Sequence, residues 1–356
     1  MDYITKDDAI IFAPYFNNKP NIKLLSNYNK LIFSDYMLDD KLFEMHDNEN
    51  FEFFCCVSEF NQKVNNLPQN ITHLTFGFKF NNEVNELPKS LTHLTFGDCF
   101  NQEVNHLPFS ITHLTFGREF NQEVNHLPPN IIHLTFGFSF NQKVNNLPQN
   151  ITYLTFGMKF NQEVNMLPQN ITHLTFAHYF NKKVNNLPQN ITHLTFGFYF
   201  NQEVSELPES ITHLVLGFNF NQEMSGLPQN ITHLTLGFNF NQNFDIPSNI
   251  KCLNLNCDNQ YVVNNLPNSL EKLKLGHNFN LKLNNLSTSI KKIMFDKNSG
   301  YYEELNCLPN FVEFLQLPKK YNKKISQLPM NLKTIKCSKN YEFLSDFVNY
   351  NVEYYE

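Results

Sequence analysis

The amino-acid sequence predicts a β-rich repeat solenoid, with a parallel β-sheet on its concave face and extended and 3₁₀ segments on its convex side. A small α-helical segment is expected at the N-terminus. Three observations carry the expectation. Phe recurs from 60 to 240 at a period of 20 without a slip, each time followed by Asn. Apolar residues stand at +4, +7 and +9 from a recurring Leu-Pro, as Ile71, Leu74 and Phe76 do after Leu67. Twenty residues also leave too few for a full helix once a strand and its turns are subtracted, and proline lacks the N–H a helix interior needs. Self-similarity at a fixed short period marks stacked coils that bury their apolar faces against one another.

Along the chain, residues 1–46 come first and carry no twenty-residue repeat. The runs 7–16 and 22–32, apolar with interspersed polar residues, predict two or three short amphipathic helices. An acidic start, a turn at Lys19-Pro20, and Leu24-Leu25-Ser26 followed by Leu31 resemble a degenerate F-box that lacks the customary Leu-Pro opening. The resemblance implies that residues 1–46 dock a ubiquitin-ligase adaptor while the repeats read a substrate. The other reading is a helical cap that shields Phe51, Phe53 and Phe54, which an open solenoid end requires in any case.

Residues 47–340 hold about fifteen coils, from Phe51/Phe54/Cys56 to Leu332/Ile335/Cys337. The unit reads Phe-Asn-Gln-Glu-Val-Asn-x-Leu-Pro-x-Asn-Ile-Thr-His-Leu-Thr-Phe-Gly-x-x. Leu74 and Phe76 alternate at period two, so Thr72 to Phe76 is expected to be a short strand with one face inward. Stacked strands then pair in parallel at ~4.8 Å. Gly77 and its equivalents are expected to let the chain turn after each strand. The Asn of each Phe-Asn is expected to turn inward and bond the adjacent coil's backbone, and the Phe column to form a stacked spine. Ile-x-x-Leu-x-Phe after Leu-Pro resembles the leucine-rich repeat. Leu-Pro-x-x-Ile-Thr-His-Leu-Thr-Phe-Gly-x-x-Phe-Asn-Gln is more similar still to the FNIP repeat, a leucine-rich-repeat relative abundant in social amoebae and giant amoebal viruses. The likeness covers about 51–340. It departs in a unit of twenty residues where the family commonly has ~22, and in Phe-Asn-Gln-Glu-Val where it has Phe-Asn-Gln-Pro.

Residues 341–356 leave the register and are expected to cap the last coil. Before them, residues 251–340 hold 14 Lys and 6 acidic residues, a net of +8 against -6 for the whole chain. Such asymmetry can dock an acidic partner.

The outward residues of the strands supply the candidate surface. His73, His93, His113, His133, Tyr153, His173, His193, His213 and His233 form one column, with a threonine column from Thr75 to Thr235 beside it. The two residues after each glycine vary from copy to copy and include Lys79, Arg118, Tyr179 and Tyr199. Variation on an otherwise repeated frame suits recognition, so these residues and the ring column together are the expected concave partner surface. A linear array at strand spacing does not converge three or four imidazoles on one ion, and neither a nucleophile nor a paired acid accompanies them. The expectation is a non-enzymatic protein–protein interaction scaffold, monomeric and without cofactor. The alternatives are a metal-binding or pH-responsive histidine ladder, or a structural repeat protein with no selective partner.

Composition narrows the classes further. There are 26 Lys and one Arg, so a general nucleic-acid binder is not expected. No apolar run approaches the ~20 residues of a membrane span, and the start of the chain does not read as a secretory leader. The 7 Cys follow no pair spacing and read as free thiols of a reducing compartment. An intracellular, cytoplasmic protein is expected (host cytoplasm, if viral). The Asn-Ile-Thr tripeptides at 70, 150, 170, 190 and 230 are formal glycosylation acceptors that such a protein would leave unmodified.

Overall fold

The computed structural model describes residues 2–35, 57–284 and 286–355. The chain divides into two compact units, Met1–Phe180 and Asn181–Glu356. Each is a β-solenoid whose rungs pair in parallel.

The first unit opens with an antiparallel hairpin of β1 (Tyr3–Lys6) and β2 (Ala9–Phe12). One helical turn, α1 (Ile22–Leu25), follows, capped by the Asn21 side chain accepting from the Lys23 N–H at 3.0 Å. β3 (Lys30–Phe33) then pairs in parallel with β2 and with β4 (His73–Thr75). The helices expected over 7–16 and 22–32 are thus corrected to strands, apart from α1. Ala9-Ile10-Ile11-Phe12 is a four-residue apolar run whose branched isoleucines favour extended chain. Runs this short do not separate strand from helix by periodicity. The segment in fact takes the form of the repeat. Phe16-Asn17 supplies a Phe-Asn pair: Phe16 stacks on Phe60 at 6.3 Å, and the Asn17 side chain accepts from the Asn61 N–H at 2.9 Å. Phe33 stacks on Phe60 at 3.7 Å and lies 6.0 Å from Phe76. Adaptor docking through a helical module therefore has no support among residues 2–35. Residues 36–46, and the rung expected at Phe51, Phe54 and Cys56, lie outside the described residues.

From β4 to β9 (His173–Thr175) each strand is three residues long and joins the next in exact twenty-residue register. Further bonds flank each rung: Thr92 and His93 both donate their N–H to Thr72 O, at 2.8 and 3.0 Å, and Phe76 donates to Thr95 O at 2.9 Å. Within a coil, Val64, Leu67, Ile71, Leu74, Phe76 and Phe80 are all buried. The two Phe columns interlock, Phe76 lying face to face with Phe80 at 3.7 Å and with the equivalent Phe96 at 5.7 Å. Between strands the expected extended and 3₁₀ segments take the form of extended chain joined by short turns, each closed by a bond between residues three apart, from the Ile71 N–H to Pro68 O and from the Phe80 N–H to Gly77 O.

One local expectation changes and another gains a second reason. The asparagine ladder forms, Asn61 Oδ1 accepting from the Asn81 N–H and Asn81 Oδ1 from the Asn101 N–H, both at 2.9 Å. Its side chains are exposed or half-buried at the surface, however, because the Phe before each Asn takes the inward position. The glycine column ends each strand at a turn, as the spacing predicts, but without a left-handed backbone: among the described glycines only Gly226 has positive φ. The column also serves close approach, as a Cβ on Gly97 would lie 1.9 Å from Gly77 O.

The second unit runs from β10 (His193–Thr195) through β11 (His213–Val215), β12 (His233–Leu236) and β13 (Cys252–Leu255). A short helix, α2 (Gln260–Asn264), interrupts the turns before β14 (Lys272–Leu275), β15 (Lys292–Phe295), β16 (Phe314–Gln316) and β17 (Thr334–Cys337). The Phe column continues as Phe279, Tyr301, Tyr321 and Tyr341, with ring centroids 6.2 to 6.3 Å apart. Residues 341–355 follow the last repeated rung. They form a 3₁₀ turn, Leu344–Phe347, and a further strand β18 (Asn351–Tyr354) parallel to β17. Among the described residues no helix is long and apolar enough to cross a membrane.

Candidate functional site

Alternation along each strand decides what faces outward. In β4, Leu74 points into the core while His73 and Thr75 stay half-exposed, and the same pattern repeats rung after rung. Parallel pairing in register then places each imidazole beside the next. In the first unit His73, His93, His113 and His133 stack at 4.1 to 4.4 Å between centroids, with planes 10 to 12° apart. Tyr153 and His173 continue the column at 4.3 and 4.2 Å. In the second unit His193, His213 and His233 stack at 4.1 Å.

The rings are held from below. Thr72, Thr92, Thr112, Thr172, Thr192, Thr212 and Thr232 each place Oγ1 2.9 to 3.0 Å from Nδ1 of the following histidine. Thr92 Oγ1 also lies 3.1 Å from Thr72 O, to which it can donate. With its single proton given to that carbonyl, the hydroxyl accepts from Nδ1–H and leaves Nε2 as an acceptor. His133 follows Ile132 and has no such hydroxyl.

Burial holds His73, His93, His113 and His233 below the ordinary histidine value. Neighbouring histidines push His93, His113 and His233 in the same direction, and Lys30 does so for His73. At these four positions the neutral ring is thus favoured. The column's geometry disfavours metal capture by neighbours: lone pairs lie in ring planes, and nearly parallel planes aim them side by side instead of at one ion ~2.1 Å away. Among the described residues no group of three His, Cys, Asp or Glu is placed to hold a metal ion. Burial also pushes the thiols of Cys257 and Cys337 up, to about 12 and about 11, so they stay protonated.

The residues after the glycines lie on the turns that leave the strands, separate from the ring column. Lys79 is tied to Glu59 at 2.6 Å. Arg118 lies 3.5 Å from Glu119 and 5.0 Å over the Phe138 ring, which Lys159 also approaches at 5.4 Å. Tyr179 and Tyr199 are 47% and 43% exposed, and Phe198, Phe218 and Phe238 stack beside Tyr199 at 4.5 and 4.8 Å. Sequence reasoning noted the positive charge of residues 251–340 without locating it on the sheet. Lys272, Lys274 and Lys292 stand on the outward face, signalled by the alternation Lys272-Leu273-Lys274-Leu275.

The FNIP Repeat family model matches successive segments from 60–99 to 240–278. Among solved structures the chain is similar to CroV588, a circular leucine-rich-repeat protein, at 32% identity and a TM-score of 0.66. The alignment covers 96% of this chain but only 61% of CroV588, so the chain spans less than two thirds of that protein. YopM from Yersinia enterocolitica WA-314 aligns at 19% identity over 78% of this chain and 68% of its own, with a TM-score of 0.47. The internalin InlF of Listeria monocytogenes aligns at 14% over 74% and 80%, with a TM-score of 0.42. No curated protein matches the chain. With its family model spanning residues 60 to 278 and its rungs repeating in the same register, the chain belongs to the FNIP repeat family.

Proposed function

We propose that the chain is a non-enzymatic protein-interaction scaffold whose partner docks on the outward face of its strands. The observation that carries this reading is the stacked ring column of His73, His93, His113, His133, Tyr153 and His173. The core does not need these side chains, yet each is fixed in one orientation by its neighbours. A surface ordered beforehand loses little side-chain freedom on binding, which favours affinity. Rings that combine an apolar face with a polar edge suit a protein interface.

The test is affinity capture from amoebal lysate with the full chain and with a His93→Ser/His113→Ser/Tyr153→Ser variant, compared by quantitative mass spectrometry. A partner retained by the native chain and lost from the variant is the expected result. Equal recovery by both, or no selective partner with either, overturns the reading. A ubiquitin-ligase role is not carried forward, because no observation among residues 2–35 favours it.

A further inference from the structure

We infer that the outward face of β14 and β15 binds an acidic segment of a partner protein, with its carboxylates seated on Lys272, Lys274 and Lys292. This rests on the reading of the strand face as a docking surface and names the chemistry of one part of it.

The parallel register sets Lys272 directly beside Lys292, at the ~4.8 Å spacing of adjacent strands. Lys274 stands on the same face, about 6.6 Å further along β14. The three form no ion pair among the described residues. The column immediately before the strands behaves differently. It reads Lys251, Glu271, Lys291, Glu313, Lys333, alternating in sign from rung to rung. Lys291 pairs with Glu271 at 3.4 Å and Lys333 with Glu313 at 2.7 Å. Charge compensation between rungs is therefore available to this fold and is used one position away, whereas like charges oppose one another on the outward face. Directly opposed like charges destabilise a sheet, and a bound anion would relieve them.

The platform is firm. Leu273 and Leu275 are buried beneath the lysines, as are Ile293 and Phe295 in the next rung. The positive field also extends along the sheet, because Lys272, Lys274 and Lys251 all disfavour the charged form of His233.

A carboxylate cluster fits this patch better than a nucleic acid. Three lysines are fewer than the roughly six to ten phosphate contacts of a typical nucleic-acid footprint. An extended acidic peptide with carboxylates at alternate positions repeats every ~6.6 Å on one side, which is the interval from Lys272 to Lys274.

The test is fluorescence anisotropy at low salt with the purified full chain and a labelled octapeptide of alternating Asp and Ser. A thymidylate oligomer with the same number of negative charges is the comparator. The native chain is expected to bind the peptide more tightly than the oligomer. Lys272→Gln/Lys292→Gln should weaken peptide binding at least tenfold, and Lys274→Gln alone by a smaller factor. Lys320→Gln/Lys339→Gln, which removes two exposed charges elsewhere in the unit, should change it less than twofold. No peptide binding, equal losses in the two double variants, or oligomer binding as tight as peptide binding would each overturn the inference. If it fails while the ring-column variant still loses a captured partner, the scaffold reading stands and only the acidic docking is removed. If peptide binding behaves as expected while the ring-column variant captures normally, the failure belongs to the ring column.

Discussion

The ring of Phe116 lies against that of Phe120 in the same coil, with centroids 3.8 Å apart and planes 9° from parallel. Phe120 also sits between Phe100 and Phe140, at 6.0 and 6.1 Å. One side chain thus belongs both to its own coil's closure and to a column through three coils. In a repeat protein, where stability is a sum of coil and interface contributions, such a residue counts in both.

Phe120→Ala should therefore cost ~3–5 kcal/mol, the range for truncating a fully buried aromatic ring. The urea midpoint of the chain should fall accordingly. Phe116→Leu should cost less than ~1.5 kcal/mol, since Leu216 and Leu236 already occupy that column. Phe109→Ala, at a side chain 74% exposed, should leave the midpoint unchanged. Equal midpoints for the alanine variants at 120 and 109 would contradict the spine.

The glycine column makes a separate prediction. A Cβ on Gly117 would stand 2.1 Å from Gly97 O, a contact that real atoms do not make. Ala177 occupies the same column, so a rung can shift to admit one methyl. Gly117→Ala should accordingly destabilise by ~1–3 kcal/mol, the usual cost of overpacking, without abolishing the fold. Gly117→Val should lower the thermal midpoint further. Tolerance of valine would show that the coils are not as closely apposed as they stand here.

Sequence alone could carry the solenoid because its period, its inward positions and its outward columns follow from spacing. Leu74 inward and His73 outward need only the alternation of a strand. The N-terminal rungs were missed because Phe16-Asn17 stands 44 residues before Phe60-Asn61, off the twenty-residue period. Counted from Leu24, Tyr28, Leu31 and Phe33 nonetheless keep the +4, +7 and +9 places, a signal visible once the period is no longer required. The close approach at Gly97 is not legible in the sequence, because a glycine needed for a turn and one needed for close approach look identical there. Pairing between columns was hidden for another reason: net charge does not say which lysines face an acid and which face another lysine.

The tyrosines that replace Phe in the second unit differ in how their hydroxyls are satisfied. Tyr341 donates to Lys323 O at 2.6 Å. Burial pushes the Tyr321 hydroxyl up to about 12, and it donates to Glu303 O at 3.2 Å. The Tyr301 hydroxyl is buried with no partner among the described residues. Since an unpaired buried polar group costs ~1–3 kcal/mol, Tyr301→Phe should stabilise by about 1 kcal/mol. Tyr341→Phe should destabilise by ~1 kcal/mol through a lost hydrogen bond. Opposite shifts in the two thermal midpoints are the expected result, and shifts of one sign would refute the assignment.

The histidine columns make stability depend on pH. His73, His93, His113 and His233 all have folded values below the unfolded one, burial being the largest cause. The unfolded chain then binds more protons, so stability rises with pH across that window. It is full above the unfolded value of about 6.5 and is lost as pH falls through the lower folded values. The urea midpoint should be lower at pH 5.5 than at pH 7.5, and the difference should shrink in a His93→Gln/His113→Gln variant. Equal midpoints at the two pH values in the native chain would exclude the effect.

The like-charge pair on β14 and β15 predicts a stabilising substitution that touches no core residue. Lys292→Glu would place a carboxylate beside Lys272 in a register already fixed by the parallel pairing. It would reproduce on the outward face the alternation that Glu271 and Lys291 show one position earlier. Cross-strand pairs of opposite charge contribute roughly 0.2–1 kcal/mol, and like charges oppose folding by a similar amount, with exposure and salt reducing both. The variant should therefore unfold at a higher temperature than the native chain at low ionic strength, with the gain fading as salt screens the pair. Lys320→Glu, on an exposed residue outside this face, should give no comparable gain. If both raise the midpoint equally, the effect belongs to net charge and not to the opposition of Lys272 and Lys292.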